Sequence, residues 1–293
     1  MRSALLRAQP AKAQPAKAQP AKAQPAKAPL SKAQPAKAQP ETMRPASRGH
    51  LTARLPDQPA PPNLLPTVLL TGFEAFGGDS VNPSWLAVQQ LVTKNSGKNS
   101  SKSSSATELL AGHQILVAQL PTSFAASSDA LARLLRQHRP AVVLCVGLAG
   151  GRSGLSLERI AINIQDARIA DNDGLQPIDT PVVASGPAAY FTTLPIKAMC
   201  AALTHAGIEA SISQSAGTFV CNHVFYALLH ALRRRRAGPN ETKVRGGFIH
   251  VPYLPGQGLP CMPLDEMVRG LQIALRCAVS TTDDIAVSGG ALN

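Results

Sequence analysis

The sequence predicts an α/β domain with a largely parallel central sheet over residues 66–293, behind a disordered tail at 1–65. Strand-like and helix-like segments alternate from Thr67 onward, which is the pattern of such a sheet. Several strands run into glycine-rich turns, where sheets of this kind place their ligands. Aliphatic and aromatic residues make up 44% of the 293 residues, enough for a sizeable core. No apolar run approaches the ~20 residues of a membrane-spanning helix.

Thr67–Thr71 reads as a short buried strand ending at Gly72. Asn82-Pro83 opens a helix, with Asn82 as N-cap and Pro83 at the first helical position. Trp85, Val88 and Val92 fall on one face of it. Ile115–Leu120 is a strand, and Leu131, Leu134 and Leu135 mark a helix face that ends before His138-Arg139-Pro140. Ala141–Val146 is the most apolar strand, closed by Gly147. Ile160, Ile162 and Ile164 alternate as in a strand with one buried face. A helix is predicted over Ile196–His205 and stopped by Gly207, then a strand over Ile208–Ser213 and a helix from near Thr218. Gly247–Val251 is a further strand, and Leu264, Met267, Val268, Leu271 and Leu275 mark a last amphipathic helix.

The net charge of +12 is unevenly placed. Residues 1–65 hold eleven Lys and Arg against Glu41 and Asp57, so only +3 falls on the remainder. The folded part therefore carries no nucleic-acid footprint. Within the tail Ala-Lys-Ala-Gln-Pro repeats from Ala11 to Pro40. Proline every fifth residue forbids helix, and nothing there is large enough to bury. Thr93–Thr107, rich in Ser, Asn and Lys, reads as a surface loop inside the domain. Before Pro10 the only apolar stretch is Ala4-Leu5-Leu6, short of a secretory signal, so a reducing cytoplasm is expected. The five Cys form neither a disulfide framework nor a zinc-ligand spacing, and no metal or organic cofactor is expected. Phosphate-binding loops of the Gly-x-x-x-x-Gly-Lys-Ser/Thr or Gly-x-Gly-x-x-Gly type are missing.

Cys221 stands apart from the other cysteines. It follows Ser215-Ala216-Gly217-Thr218-Phe219-Val220 and falls in the first turn of a helix that Thr218 could cap. Backbone N–H groups there favour a thiolate and could hold an oxyanion. The alternative is a small buried residue near a helix start. Cys145, Cys200, Cys261 and Cys277 fit packing. A thiol nucleophile needs a base, and of seven His, His250 lies at a strand end before Val251-Pro252. His223 and His230 read as packing residues. Glu158, after the Gly-Gly-Arg turn, is the acid best placed to orient an imidazole. The acidic run Asp166, Asp171, Asp173 and Asp179 reads as a turn rather than a calcium loop.

Four segments in order resemble the pyroglutamyl-peptidase I (pyrrolidone-carboxylate peptidase) family of cysteine peptidases. They are Thr71-Gly72-Phe73-Glu74-Ala75-Phe76-Gly77-Gly78 with Asn82-Pro83-Ser84; Gly150-Gly151-Arg152 with Glu158-Arg159-Ile160-Ala161-Ile162-Asn163; Ala216 to Asn222; and Ile249-His250-Val251-Pro252. The resemblance covers roughly residues 66–280. It implies a three-layer α/β/α sandwich, commonly a homotetramer, that removes an N-terminal pyroglutamyl residue from peptides. It implies Cys221 as nucleophile, His250 as base and Glu158 as its acid, and a lactam pocket of Phe73, Phe76, Ile169, Phe219 and Val220. Arg152 is a candidate oxyanion helper. Leu148 stands where many members of the family have a Gln that reaches the substrate. Two other readings of the scaffold are an inactive peptide-binding protein and a nucleoside-phosphorylase-like transferase.

Overall fold

The computed structural model describes residues 65–93, 109–235 and 243–290. The repeat tail, except Leu65, and nearly all of the Thr93–Thr107 stretch lie outside them. Strand β1 (Thr67–Phe73) is buried along all but its first residue. Helix α1 (Pro83–Thr93) starts as predicted, with Asn82 Oδ1 accepting from the Ser84 N–H at 3.0 Å and from its hydroxyl at 2.8 Å. Its inner face differs from the predicted one. Ser84, Ala87, Val88 and Leu91 are buried, while Trp85 and Val92 are half-buried at its flanks. The cause is a close approach of chains: a Cβ on Gly72 would stand 2.7 Å from the Trp85 Cα. So near to β1, the helix begins its inner face with the small Ser84 and Ala87.

Short β2 (Leu109–Leu110) turns into β3 (His113–Leu120). Helix α2 (Phe124–His138) is capped by Ser123 and ends on Arg139 in the left-handed region at φ 43°. Strand β4 (Val142–Leu148) runs through Gly147, one residue beyond where the sequence closes it. Strand β5 (Leu155–Glu158) is an element that the sequence reading did not anticipate. Next, β6 (Ile160–Ile162) pairs antiparallel with β7 (Ala189–Phe191), outside the main sheet. The predicted alternation is inverted here: Ala161 is fully buried and the flanking isoleucines are half-buried. Helix α3 (Ile196–His205) matches its predicted bounds. Strand β8 (Ala210–Ser213), helix α4 (Val220–Arg234), strand β9 (Arg245–Val251) and helix α5 (Leu264–Ser280) complete the chain order.

The main sheet has the order β2-β3-β1-β4-β9-β5-β8. It is parallel except at the β2–β3 and β5–β9 pairs. Side chains alternate between its faces, as strand geometry requires. Val68, Val142, Leu144, Leu157 and Ile249 join one buried cluster with α1, α3 and α5. Leu69, Phe73, Val143, Cys145 and Phe248 join another with α2 and α4. The architecture is a three-layer α/β/α sandwich. Among the described residues no helix is long and apolar enough to cross a membrane.

Candidate active site

The strand order β4-β9-β5 lays Gly147, His250 and Ser156 in one row across the sheet, on the face covered by α2 and α4. Glu158 lies on the same face of β5 as Ser156, one pleat from His250, close enough for a diagonal pair. Its Oε1 meets His250 Nδ1 at 2.7 Å. Both side chains are nearly or wholly shut off from solvent. The antiparallel insertion of β5 makes this contact, which places two residues far apart in sequence on adjacent strands. The same carboxylate oxygen accepts from Arg152 Nη1 at 2.6 Å. Burial alone would raise the Glu158 carboxyl. The hydrogen bond and charge of His250, the Ser213 side chain and the Arg152 guanidinium outweigh it and hold the carboxyl below its ordinary value.

Cys221 comes to this row from α4. The helix begins one residue later than predicted. Phe219 is its N-cap and has no polar atom to cap with, while the Thr218 hydroxyl is donated to the Asp166 carbonyl at 2.6 Å. Cys221 remains in the first turn. The first intrahelical bond runs from His223 N–H to Phe219 C=O, so the N–H groups of Val220, Cys221 and Asn222 precede the ladder. Asn222, fully buried, fixes the turn by accepting from Ile162 N–H and donating to Ile162 and Ile164 carbonyls at 2.9–3.1 Å. Ala161 is small and buried beneath this contact, which explains the inverted alternation of β6.

The Cys221 Sγ rests on Gly147, where a Cβ would stand only 2.7 Å from it. Burial pushes the thiol up to about 12, and the Glu158 carboxylate and Cys145 add to the rise while Arg152 opposes it. Burial here works against the thiolate that a helix start by itself favours at this sulfur. Its proton must pass to a base for attack. Cys145, wholly buried on β4, is likewise pushed up to about 12 by burial, with the neighbouring Thr71 hydroxyl opposing the rise.

The apolar side chains named from the resemblance gather around the loop that follows β1 and the start of α4. Phe73 and Val220 are buried, and Phe76 and Phe219 are half-buried with ring centroids 5.9 Å apart. Ile169 is exposed at 46% and leans on the turn at Gly77, whose Cβ would lie 3.8 Å from the Ile169 Cδ1. Hydrogen bonds hold that loop on several sides: Asn82 Nδ2 and Thr122 Oγ1 donate to the Glu74 carbonyl, and Asn172 Nδ2 donates to that of Ala75, at 2.8–2.9 Å. Phe124 and Phe248 were not anticipated. Phe124 meets Phe219 edge-on at 5.4 Å, and Phe248 packs on His250 at 4.8 Å. Leu148 ends β4 beside Val251, and alternation sets it on the face opposite Gly147.

The remaining candidates have structural roles. Burial pushes His223 down to about 4, with the nearby Phe124 backbone carbonyl opposing the fall, and its Nε2 lies 2.5 Å from Ser128 Oγ. His230 Nδ1 meets Tyr190 Oη at 2.8 Å. The acidic run is a turn: Asp171 accepts from the N–H groups of Phe124, Asp173 and Leu175, tying it to the start of α2. Among the described residues no group of three or more His, Cys, Asp or Glu is placed to hold a metal ion.

Residues 66–281 match the family described as pyroglutamyl peptidase. A pyrrolidone-carboxylate peptidase of Cupriavidus taiwanensis is 52% identical over 235 residues, covering 78% of this chain and 100% of that one. Pyrrolidone-carboxylate peptidase 1 of Ralstonia nicotianae is 50% identical, again over 78% of this chain and 100% of its own. The crystal structure of pyroglutamyl peptidase I from Bacillus amyloliquefaciens superposes with a TM-score of 0.68 at 40% identity, covering 77% of this chain and all of that one. Fold and relatives together define a peptidase of the cysteine type. The chain belongs to the pyroglutamyl peptidase family.

Proposed function

We propose that this chain is a cysteine exopeptidase that hydrolyses the amide bond between an N-terminal pyroglutamyl residue and the next residue of a peptide. One observation carries the reading: a buried carboxylate holds His250 Nδ1 at 2.7 Å, in the strand row on which the Cys221 thiol rests. The relatives' names supply the substrate class.

With Nδ1 engaged by Glu158, the free Nε2 of His250 takes the Cys221 proton as sulfur attacks the pyroglutamyl carbonyl carbon. The N–H groups at the start of α4 hold the oxyanion. The tetrahedral intermediate collapses as His250 returns its proton to the departing amine, leaving a thioester on Cys221. Water, deprotonated by His250, attacks the thioester and releases pyroglutamate with the thiol restored. The Arg152 guanidinium on Glu158 Oε1 opposes protonation of the carboxyl, so the carboxylate stays ready to stabilise the imidazolium that forms.

The substrate side follows from desolvation. Phe73, Phe76, Ile169, Phe219 and Val220 offer an apolar seat suited to a neutral lactam. A prolyl N-terminus has similar ring carbons but carries a cationic amine, which is costly to bury without a partner. We place the chain in a reducing, cytoplasmic compartment, since its chemistry needs a free thiol. The assembly proposed is a homotetramer. Exposed Phe191 and Leu259 are apolar surface that neighbouring subunits would cover, and sedimentation of the full chain checks it.

The test is kcat/KM on pyroglutamyl-, prolyl- and glutaminyl-naphthylamide. Turnover of the first, at least about 10³-fold above the other two, is expected where a polar edge is left unpaired in the wrong substrate. Comparable turnover of the prolyl substrate would overturn the reading, and a dependence on inorganic phosphate would point to group transfer instead.

A further inference from the structure

Arg152 connects the two halves of the candidate site. It lies in the link between β4 and β5, immediately after Gly150 and Gly151. One terminal nitrogen, Nη1, donates to Glu158 Oε1 at 2.6 Å, and the other, Nη2, donates to the Ser215 carbonyl at 3.1 Å. Glu158 is the group that holds His250. Ser215 belongs to the turn between β8 and α4, from which Cys221 emerges six residues later.

That turn is bonded within itself. The Ser213 hydroxyl donates to Ser215 C=O at 3.0 Å, and Gly217 N–H donates to the Ser215 hydroxyl at 3.1 Å. Gly217 takes a positive φ of 78° to complete it. Asp166 holds its far end, exchanging hydrogen bonds with Thr218. A hold on Ser215 is thus passed through the whole turn to the start of α4. A planar, charged fork is the side chain suited to gripping two acceptors at a fixed separation, which a lysine cannot do.

We propose that Arg152 is a positioning residue that locks the Glu158–His250 pair to the turn carrying Cys221, so that base and nucleophile keep one alignment. The proposal rests on the peptidase reading above. Its terminal nitrogens face Glu158 and Ser215, which assigns them to this bridge rather than to an oxyanion. Sharing Oε1 between Arg152 and His250 favours the ionised carboxylate, because charge strengthens a hydrogen bond accepted from a cationic donor. The guanidinium, with 31% of its side chain exposed, caps a carboxylate that is wholly buried.

The test is the pH dependence of kcat and KM for wild type, Arg152→Gln and Arg152→Lys on pyroglutamyl-naphthylamide. The charged and titratable groups facing Glu158 are His250 from β9, Cys221 from α4 and Arg152 itself, with the Ser213 hydroxyl from β8. Arg152→Gln should lower kcat by about 10²-fold, the scale of an ångström misplacement, while KM changes by less than about threefold. Its acid limb should move to higher pH, because Glu158 loses a cation that favours its ionised form. Arg152→Lys should bring the acid limb back but recover kcat only in part. A loss of kcat with the acid limb unmoved, a loss confined to KM, or wild-type kcat in Arg152→Gln would each overturn the proposal. If Arg152→Gln does not fold, Arg152→Lys carries the test: full wild-type kcat in that variant refutes the bridge. Inactivity of the wild type would instead sink the peptidase reading, and the positioning role with it.

Discussion

Replacing Gly147 by alanine adds one methyl group where β4, β9 and α4 meet. The new Cβ would stand 2.7 Å from the Cys221 sulfur and 2.8 Å and 3.0 Å from ring carbons of Phe248. Non-bonded carbons settle at about 3.5–4.0 Å, so the methyl must gain roughly 1 Å on each side. Gly147 is registered to His250 of β9, and β1 holds the other side of β4 as far as Cys145, which leaves its backbone little room to retreat. The Phe248 ring is held between Phe73, Phe225 and His250, at centroid distances of 4.8–6.2 Å. Cys221 is left to move, and with it the start of α4. A displacement of that size costs about 10² in rate when a reacting group is involved. Overpacking a core costs about 1–3 kcal/mol, and each kcal/mol lowers the melting temperature of a domain this size by ~2–4 °C. Gly147→Ala should therefore lose about 10²-fold in kcat on pyroglutamyl-naphthylamide while melting within roughly 12 °C of wild type. Wild-type kcat in a folded Gly147→Ala protein would refute the placement of Cys221 against β4.

Iodoacetamide at neutral pH should label Cys221 through proton transfer to His250, since burial disfavours the thiolate. His250→Ala should slow that labelling at least tenfold, and equal rates would remove His250 as the acceptor. Cys145 should stay unlabelled in the folded protein, as peptide mapping would show. Glu158 titrates lower folded than unfolded, so its pairing stabilises the protein above the ordinary carboxyl value of 4.5 and is lost as pH falls through the depressed folded value. Glu158→Gln should flatten the acid fall in stability measured by denaturant midpoints. Parallel curves for the two proteins would contradict this. Deleting residues 1–65 should leave kcat/KM unchanged, because the family match begins at residue 66; a large loss would show that the tail contributes to the domain.

Much of the fold was legible because its signals are local. The Asn82-Pro83 start and the apolar run of β4 depend on neighbours a few residues away, and both appear as read. What escaped the sequence depends on distant partners. Strand β5 is four residues long and half of them polar, so its pattern is indistinct until β8 and β9 flank it. Thr218 is a good cap by composition, yet its hydroxyl is taken by Asp166, 52 residues away. The inner face of α1 was misplaced because Gly72 brings β1 unusually near, a tertiary constraint that helical periodicity does not contain. At the site, the residue types of Cys221, His250 and Glu158 were readable. The β9–β5 pairing that joins two of them was not. Nor was the bridging geometry of Arg152, since nothing local to Gly150-Gly151-Arg152 points to Ser215.

The proposed chemistry passes through one sulfur atom, and the most direct measurement is kcat/KM on pyroglutamyl-naphthylamide for wild type and Cys221→Ala at matched thermal stability. Cys221 is half-buried, and removing its sulfur while Gly147 remains adds no clash, so the variant should fold. Its activity should fall by at least about 10³-fold, as loss of a covalent nucleophile requires. A folded Cys221→Ala protein that kept more than about a tenth of wild-type kcat/KM, a loss under ~1.4 kcal/mol, would show that the amide bond is broken by some other group.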